Sequence, residues 1–558
     1  MPSLTTGAPA VSAANPHRDC LVTLAGIDLQ TATALQLQAA LASGRISSRQ
    51  LVQAYLDRIA AWDQAPGVVT NSIRALNPKA LQIADALDAE RRRSGPRGPL
   101  HGLPVLLKDN IGTTDLPTTA GSIALEGSIP LQDAFITEAL RKAGVVVMGK
   151  ANLSEFANWV QLGMPNGYSS LGGQVLNAHD GGDPSGSSSG SGVAGSMAFS
   201  ALTIGTETSG SILSPSNDNG LVGIKPTVGL VSRAGIIPLS PSFDTAGPMV
   251  RSVTDAALLL GAIAGVDPRD AKTAESEGKA PAGNDYTQFL VTTGLEGVRL
   301  GYSEGDADDE LFAQAMEDLT SRGAELVPVD EFDYTKFVGL TELAAIPNDF
   351  KWSLNHYLAT ETVPDLRVKT LGEIIEYNKQ HPDKVKYGQN LLEASNATPG
   401  NEQLAFAQAA PTIAAARAAI DGSLLANDVD AIIALGPFNA NIGAAAGYPT
   451  VIVPAGYHND GTTPQGVSFL GTAYTEPQLL SYAYSYEQAS KRRVPPTALN
   501  TDLVPVSCKR SSAGPVAGPV VAPVASRPSP LPSTGAPTVI AVIAVVLIAT
   551  SIYLRRRP

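Results

Sequence analysis

The chain contains the sequence DPSGSSSGSG at residues 183–192 and the sequence TETSGS at residues 206–211. Both stretches combine several hydroxyl groups with small residues that leave the backbone N–H groups accessible. A serine nucleophile needs a base that takes its proton and N–H donors that stabilise the oxyanion. A flexible linker is disfavoured, because apolar runs flank both stretches and long structureless loops are uncommon inside compact domains. The two stretches therefore predict a catalytic serine site.

Two short sequence patterns that begin in the first stretch suggest other functions. Residues 186–190 match the GxSxG turn of α/β-hydrolases, with Ser188 as the nucleophile. Residues 190–195 match the GxGxxG pattern of dinucleotide-binding folds, which needs a preceding strand and an acidic residue about 20 positions further on. No strand is predicted directly before residue 190, and Glu207 comes too soon. Dinucleotide binding is therefore disfavoured, whereas an esterase that uses Ser188 remains an alternative.

Short apolar runs alternate with helical patterns on both sides of these loops, which is typical of an α/β fold with a largely internal sheet. Strands are predicted at residues 104–107, 145–148, 298–302, 431–435 and 450–453, and a further short apolar run lies at 201–204. Helices are predicted within residues 29–62, with a break at 43–45, at 75–93, 308–322 and 405–425, and a further helix is expected to begin near residues 152–155.

The serine loops belong to a longer pattern. It continues downstream as GIKPT at residues 223–227 and DTAGP at 244–248, and it extends upstream to RGPLHGLPVLLKDN at 97–110. Together with GYP at 447–449 and VPAG at 453–456, the chain resembles the amidase signature family over roughly residues 27–496. The resemblance implies the family's α/β fold, a mixed central sheet covered by helices on both faces, in an amidase domain at 27–507.

The resemblance also implies a catalytic triad of two serines and a lysine and needs no cofactor or metal. Lys108 matches the base, Ser187 the bridging serine and Ser211 the nucleophile, although a one-residue shift of the alignment would exchange Ser187 for Ser188. A lysine has a reference pKa of about 10.4, so Lys108 must have a strongly lowered pKa to act as a base. A lone lysine after an apolar strand is otherwise a surface charge.

The resemblance also implies an oxyanion hole formed by the backbone N–H groups that precede and include the nucleophile. Family members commonly have Gly-Gly-Ser-Ile-Arg where this chain has Ser209 to Leu213, so a side chain is gained at Ser209 and an arginine is lost at Leu213. These departures make a transfer of substrate preference uncertain. The predicted oxyanion-hole residues are Thr208, Ser209, Gly210 and Ser211.

The implied reaction is hydrolysis of a carboxamide to an acid and ammonia. Residues 209–215 and 235–239 resemble members that act on peptide or aryl amides, and a C-terminal peptide amide is the leading hypothesis. Residues 340–395, including Phe350, Lys351 and Tyr357, are expected to shape the substrate pocket. The alternatives are a glutaminase-type subunit of a tRNA-dependent amidotransferase and a non-catalytic surface protein on the same fold.

Charge and cysteine content exclude other classes. The net charge is −13, which argues against nucleic-acid binding, because a surface that binds phosphates needs clustered Lys and Arg. Cys20 and Cys508 are too far apart in sequence for a typical zinc site. They are expected to be either two free thiols or, in an oxidising compartment, a disulfide.

The C-terminal composition predicts attachment to a cell surface. A Pro/Ala-rich spacer at residues 508–530 precedes LPSTG at 531–535, an apolar run at 538–554 and three arginines. As a helix the apolar run would span about 26 Å, close to a bilayer core. This order resembles the LPxTG sorting signal of Gram-positive surface proteins, which implies a membrane segment and a sortase-type transpeptidase acting between Thr534 and Gly535. The alternative is a simple C-terminal membrane anchor. The implied recognition residues are Leu531, Pro532, Ser533, Thr534 and Gly535.

The N-terminal region lacks the export signal that surface attachment requires. Residues 1–26 are rich in Ala, Thr and Pro and are predicted to be flexible, and no continuous apolar run precedes Asp28. The sequence therefore predicts that translation starts upstream of Met1.

Overall fold

The computed structural model describes residues 19–63, 70–329, 340–458, 461–500 and 503, and these belong to one compact unit. The strands are β1 (Thr23–Leu24), β2 (Ile27–Asp28), β3 (Ile73–Leu76), β4 (Pro104–Lys108), β5 (Val146–Ala151), β6 (Tyr168–Ser169), β7 (Gly173–Gln174), β8 (Leu202–Glu207), β9 (Val222–Lys225), β10 (Thr245–Val250), β11 (Arg299–Tyr302), β12 (Glu325–Pro328), β13 (Ala431–Leu435), β14 (Thr450–His458) and β15 (Thr463–Leu470).

The helices are α1 (Asp19–Val22), α2 (Ala34–Ala42), α3 (Ser48–Trp62), α4 (Ala80–Ser94), α5 (Phe135–Lys142), α6 (Glu155–Asn158), α7 (Ser189–Ser196), α8 (Leu213–Asp218), α9 (Val253–Ile263), α10 (Glu310–Ser321), α11 (Leu340–Thr360), α12 (Leu371–Lys379), α13 (Asn390–Asn396), α14 (Glu402–Asn427), α15 (Ala440–Ala446), α16 (Glu476–Ser490) and α17 (Pro496–Leu499). Short 3₁₀ turns lie at Ile123–Leu125, Ala271–Ser276, Ala282–Asn284, Tyr286–Phe289 and Glu304–Asp306.

Within the described residues, eleven strands form one mixed sheet in the order β12-β11-β13-β15-β14-β9-β10-β8-β4-β5-β3. β4 runs parallel to its neighbours β5 and β8, whereas β10 lies antiparallel between β8 and β9. Every residue of β4, β5, β8 and β10 is buried, as expected for strands covered by helices on both faces. The predicted α/β fold with a mixed central sheet is confirmed.

The predicted break at residues 43–45 is confirmed, because α2 ends at Ala42 and α3 begins at Ser48 after a capping box formed by Ser47 and Gln50.

The prediction of a helix from residue 75 is wrong at its start. Residues 73–76 form β3, which pairs antiparallel with β5, and the helix begins only at Ala80. Strand pairing with a distant segment overrides the helical pattern of these residues.

Several predicted features lie outside the described residues. They are most of the flexible segment 1–26, the spacer 508–530, the LPSTG sequence and the apolar run 538–554. The bond proposed between Cys20 and Cys508 also lies outside them, since Cys508 is not described. In the part of the chain that the structure describes, none of the helices is both long and apolar enough to cross a membrane. The domain boundaries 27–507 stay a prediction.

Candidate active site

Lys108 is the last residue of β4 and lies in the centre of the site. The strand lies between β5 and β8, so the lysine side chain is enclosed and has no exposed surface. Its Nζ lies 2.8 Å from the Ser187 Oγ and 3.1 Å from the carbonyl oxygen of Thr206, with the amine as donor in both hydrogen bonds. The lysine is therefore a buried group bonded to a serine 79 residues away, and the surface-charge interpretation of Lys108 is wrong.

Burial lowers the pKa of Lys108 from 10.5 to about 7, while the charges of Asp244 and Glu207 oppose this decrease. Desolvation dominates because the charged ammonium loses its hydration inside the sheet. A large fraction of Lys108 is consequently neutral near pH 7, and a neutral amine has a lone pair that can accept a proton.

The segment around Ser187 runs directly against the loop that carries Ser211. The Gly186–Ser187 peptide bond is cis, and the Ser187 carbonyl oxygen accepts a hydrogen bond of 3.1 Å from the Ser154 N–H. The Ser188 N–H donates to the Ser211 carbonyl oxygen at 3.3 Å. A Cβ on Gly186 would lie 2.6 Å from the Ser154 Oγ, so only glycine fits there. The two serine loops that the sequence singled out are thus in contact.

Ser188 occupies a different environment from Ser187. Its hydroxyl donates to the Thr206 carbonyl oxygen at 3.0 Å and accepts from the Thr206 N–H at 3.2 Å, and its side chain is fully buried. Ser211, in contrast, retains 8% exposure. The hydroxyl of Ser188 fastens the loop to β8, and it is Ser187 whose hydroxyl contacts the buried lysine.

Glu207 orders the loop of the predicted oxyanion hole, a role that the sequence analysis missed. Its Oε2 accepts hydrogen bonds from the N–H groups of Ile212 and Leu213, at 2.7 and 3.0 Å. Burial raises the pKa of Glu207, and the charge of Lys225 opposes the increase. The available signal was an acidic residue shortly before a helix start, where a carboxylate is favoured by the exposed N–H groups.

The backbone of the loop turns at Gly210, which adopts a φ of +78°. This left-handed conformation favours glycine, and a Cβ there would lie 3.0 Å from the Ser214 Oγ. The Gly210 carbonyl oxygen accepts from the Ser214 N–H at 2.8 Å. The Gly210 N–H also lowers the pKa of Glu207, so this donor acts on the carboxylate beneath the loop.

Two further contacts hold the loop from outside. The Thr208 hydroxyl donates to the Asp244 Oδ1 at 2.5 Å, and the Ser209 hydroxyl donates to the Asn441 Oδ1 at 2.9 Å. Asn441 belongs to α15, so the serine that replaces a family glycine ties the loop to a second helix. Neither Asp244 nor Asn441 was assigned a role from sequence, because their partners lie 36 and 232 residues away.

The residues expected to shape the substrate pocket divide into two groups. Phe350 and Tyr357 of α11 are buried in an apolar cluster that also contains Phe156. Lys351 points elsewhere, because its Nζ donates to the carbonyl oxygens of Asn396 and Thr398, at 2.6 and 2.7 Å. Among the described residues, no group of three or more His, Cys, Asp or Glu side chains is arranged to bind a metal.

Similar proteins agree with this fold. Residues 50–480 match the family model described as Amidase. A probable amidase of Arabidopsis thaliana is 39% identical over 479 residues, which cover 84% of this chain and 92% of that protein. The native peptide amidase of Stenotrophomonas maltophilia has a similar structure, with a TM-score of 0.78 and 40% identity, covering 83% of this chain and 98% of that one.

A third relative bears on the alternative function. A glutamyl-tRNA(Gln) amidotransferase subunit from Acidothermus cellulolyticus is 40% identical over 317 residues, covering 55% of this chain and 60% of that protein.

The fold and these similarities define an amide-hydrolysing enzyme. The chain belongs to the amidase family, since the family model spans well over half of its length.

Proposed function

We propose that the chain hydrolyses carboxamides with Ser211 as nucleophile, Ser187 as proton relay and Lys108 as base. The observation that carries this proposal is the 2.8 Å hydrogen bond between the buried Lys108 Nζ and the Ser187 Oγ, on a segment bonded to the backbone of Ser211. Charge on Lys108 is disfavoured by burial, so the amine is suited to take a proton and return it within one catalytic cycle.

The proposed reaction has two halves. Ser187 passes its proton to the Lys108 Nζ while it takes the proton of Ser211, whose Oγ attacks the amide carbonyl carbon. The tetrahedral oxyanion accepts hydrogen bonds from those backbone N–H groups of residues 208–211 that do not donate to Glu207. The relay then returns the proton to the leaving nitrogen, and ammonia departs. Water is deprotonated by the same relay, attacks the acyl-enzyme, and releases the carboxylic acid together with free Ser211.

The substrate class that we propose is the C-terminal carboxamide of a peptide. The proposal is supported by the 40% identity to a peptide amidase over 83% of the chain.

Ammonia release from a panel of amides tests this proposal. We expect the purified chain to hydrolyse peptides that end in a carboxamide faster than free glutamine or simple aliphatic amides, by about tenfold or more in kcat/KM. The same peptides with a free C-terminal carboxylate serve as the matched control and should release no ammonia. A preference for glutamine would instead favour the amidotransferase-type alternative, which the similarity to the Acidothermus cellulolyticus protein supports.

We also propose that residues 531–558 attach the enzyme to the cell wall, on the basis of the order of LPSTG, apolar run and arginines. In a Gram-positive host we expect the protein in the wall fraction. Replacement of Thr534 and Gly535 by alanine should shift it to the membrane fraction, because the cleavage position is lost while the apolar run remains. An unchanged distribution between wall and membrane contradicts the proposal.

A further inference from the structure

The segment of residues 239–244 lies between helix α11 and the predicted oxyanion loop. At its end Asp244 accepts hydrogen bonds from the N–H groups of Leu239 and Ser240, both at 2.9 Å, through its Oδ2. Its Oδ1 accepts from the Thr208 hydroxyl at 2.5 Å. Asp244 therefore closes the segment on itself and links it to the first residue of the oxyanion loop.

The opposite side of the segment is held by a buried carboxylate. Asp349 of α11 has no exposed surface, and its Oδ2 accepts hydrogen bonds from the Ser240 hydroxyl and, at 3.2 Å, from the Ser242 N–H. Both donors lie more than 100 residues away in sequence. Burying a carboxylate is unfavourable unless its hydrogen bonds compensate, so this contact fixes the position of the segment relative to α11.

Apolar packing also holds residues 239–244 against α11. Phe243, in the middle of the segment, is 1% exposed and packs against Ala345 of α11 and Ala409 of α14. On another side, the Arg233 guanidinium, which is paired with Asp270, donates to the Pro241 carbonyl oxygen. The segment is therefore held on one side by α11 and on the other by Arg233. A shift of α11 is expected to move the segment with it.

We infer that Asp349 is a positioning residue of this enzyme: it couples α11 to the oxyanion loop through Ser240, Asp244 and Thr208. The same helix carries Phe350, whose buried ring meets the Phe156 ring edge-on with centroids 5.7 Å apart. A helix anchored in the apolar core therefore also fixes the segment that is bonded to Thr208 of the oxyanion loop. Only the kinetic part of this inference rests on the proposed function.

Asp349→Ala and Asp349→Asn test the coupling in the full chain. The alanine variant is expected to lose about 10- to 100-fold in kcat with KM changed less than about threefold, because misplaced oxyanion donors weaken the transition state and not the bound substrate. Backbone hydrogen exchange of residues 206–213, measured by mass spectrometry, is expected to accelerate at least about tenfold. The asparagine variant keeps an acceptor for Ser240 and Ser242 and should restore both values to within about threefold of the wild type.

Ser353→Ala is the matched control, since the Ser353 hydroxyl lies one turn further along α11 and bonds only carbonyl oxygens of its own helix among the described residues. It should alter neither kcat nor exchange in residues 206–213. If Asp349→Ala does not fold, Ser240→Ala removes one hydrogen bond between Asp349 and the segment. It should produce smaller changes of the same kind in kcat and in hydrogen exchange.

Two results overturn the inference: folded Asp349→Ala with wild-type exchange and kcat, or Ser240→Ala with both unchanged. A wild type that hydrolyses no amide, while Asp349→Ala still accelerates exchange in residues 206–213, refutes the proposed function and leaves the coupling supported.

Discussion

Ser211→Ala is expected to lower kcat for carboxamide hydrolysis at least about 10⁴-fold, which is the scale seen when a nucleophile that acts as part of a unit is removed. The substitution removes the oxygen that forms the acyl-enzyme, and the relay of Ser187 and Lys108 then has no nucleophile to deprotonate. The fold should be retained, because Ser211 contacts Ser188 through its backbone carbonyl oxygen and this contact survives the change. Initial rates of ammonia release, with thermal denaturation as the check on folding, measure the effect.

Ser188→Ala is the matched control for that experiment and decides between the two serine assignments. Its hydroxyl bonds only the backbone of Thr206 among the described residues, and its loss leaves a buried N–H without that acceptor. We expect the free energy of unfolding to decrease by about 1–3 kcal/mol and kcat to fall less than about tenfold. A loss of activity in Ser188→Ala as large as in Ser211→Ala would refute the proposed triad and favour the esterase-like alternative.

Lys108→Met is expected to abolish the base, with a loss of about 10³-fold or more in kcat/KM. In the wild type, only the neutral form of Lys108 is active, so kcat/KM should rise with pH to a plateau above the pKa of about 7. Lys108→Arg should be inactive throughout this range, because a guanidinium stays protonated. A wild-type profile that is flat between pH 5 and 9 contradicts the assignment of Lys108 as base.

The same substitution is expected to make the protein more stable at neutral pH. The pKa of Lys108 is about 7 in the folded chain and near 10.5 when unfolded, so between these values the unfolded chain binds the extra proton. Stability of the wild type therefore rises as pH increases from 7 to 10.5, and methionine removes this dependence. The free-energy advantage of Lys108→Met should shrink by about 3 kcal/mol between pH 7 and 9.5, at about 1.4 kcal/mol per pKa unit.

Urea denaturation at the two pH values measures this difference. Lys142→Met, at the exposed end of α5, controls for the removal of a lysine as such and should show no such change. An advantage of Lys108→Met that is equal at pH 7 and 9.5 would mean that the lysine is charged in the folded state, which is incompatible with a role as base.

Much of the architecture could be predicted from patterns that depend on near neighbours. The apolar run before Lys108 predicted β4, and the break at residues 43–45 separated α2 from α3. The error at residues 75–79 arose because only near neighbours were considered. β3 forms because it pairs with β5, and no local pattern indicates that pairing. Element boundaries that depend on distant partners are the ones that local periodicity misses.

The sequence by itself determined the two serine loops, the lysine at the strand end and the family, because these depend on residue types at short and characteristic spacings. Only the tertiary structure decided which serine meets Lys108, since the hydroxyls of Ser187 and Ser188 differ by one residue in sequence and by their bonding partners in space. The tertiary structure also decided that the pKa of Lys108 is lowered, and which donors Glu207, Asp244 and Asp349 accept hydrogen bonds from. Desolvation of Lys108, its hydrogen bond to Ser187 79 residues away and the contact of Asp349 with Ser240 109 residues away arise only when β4, β8 and α11 pack together, and packing is not a local property of the chain.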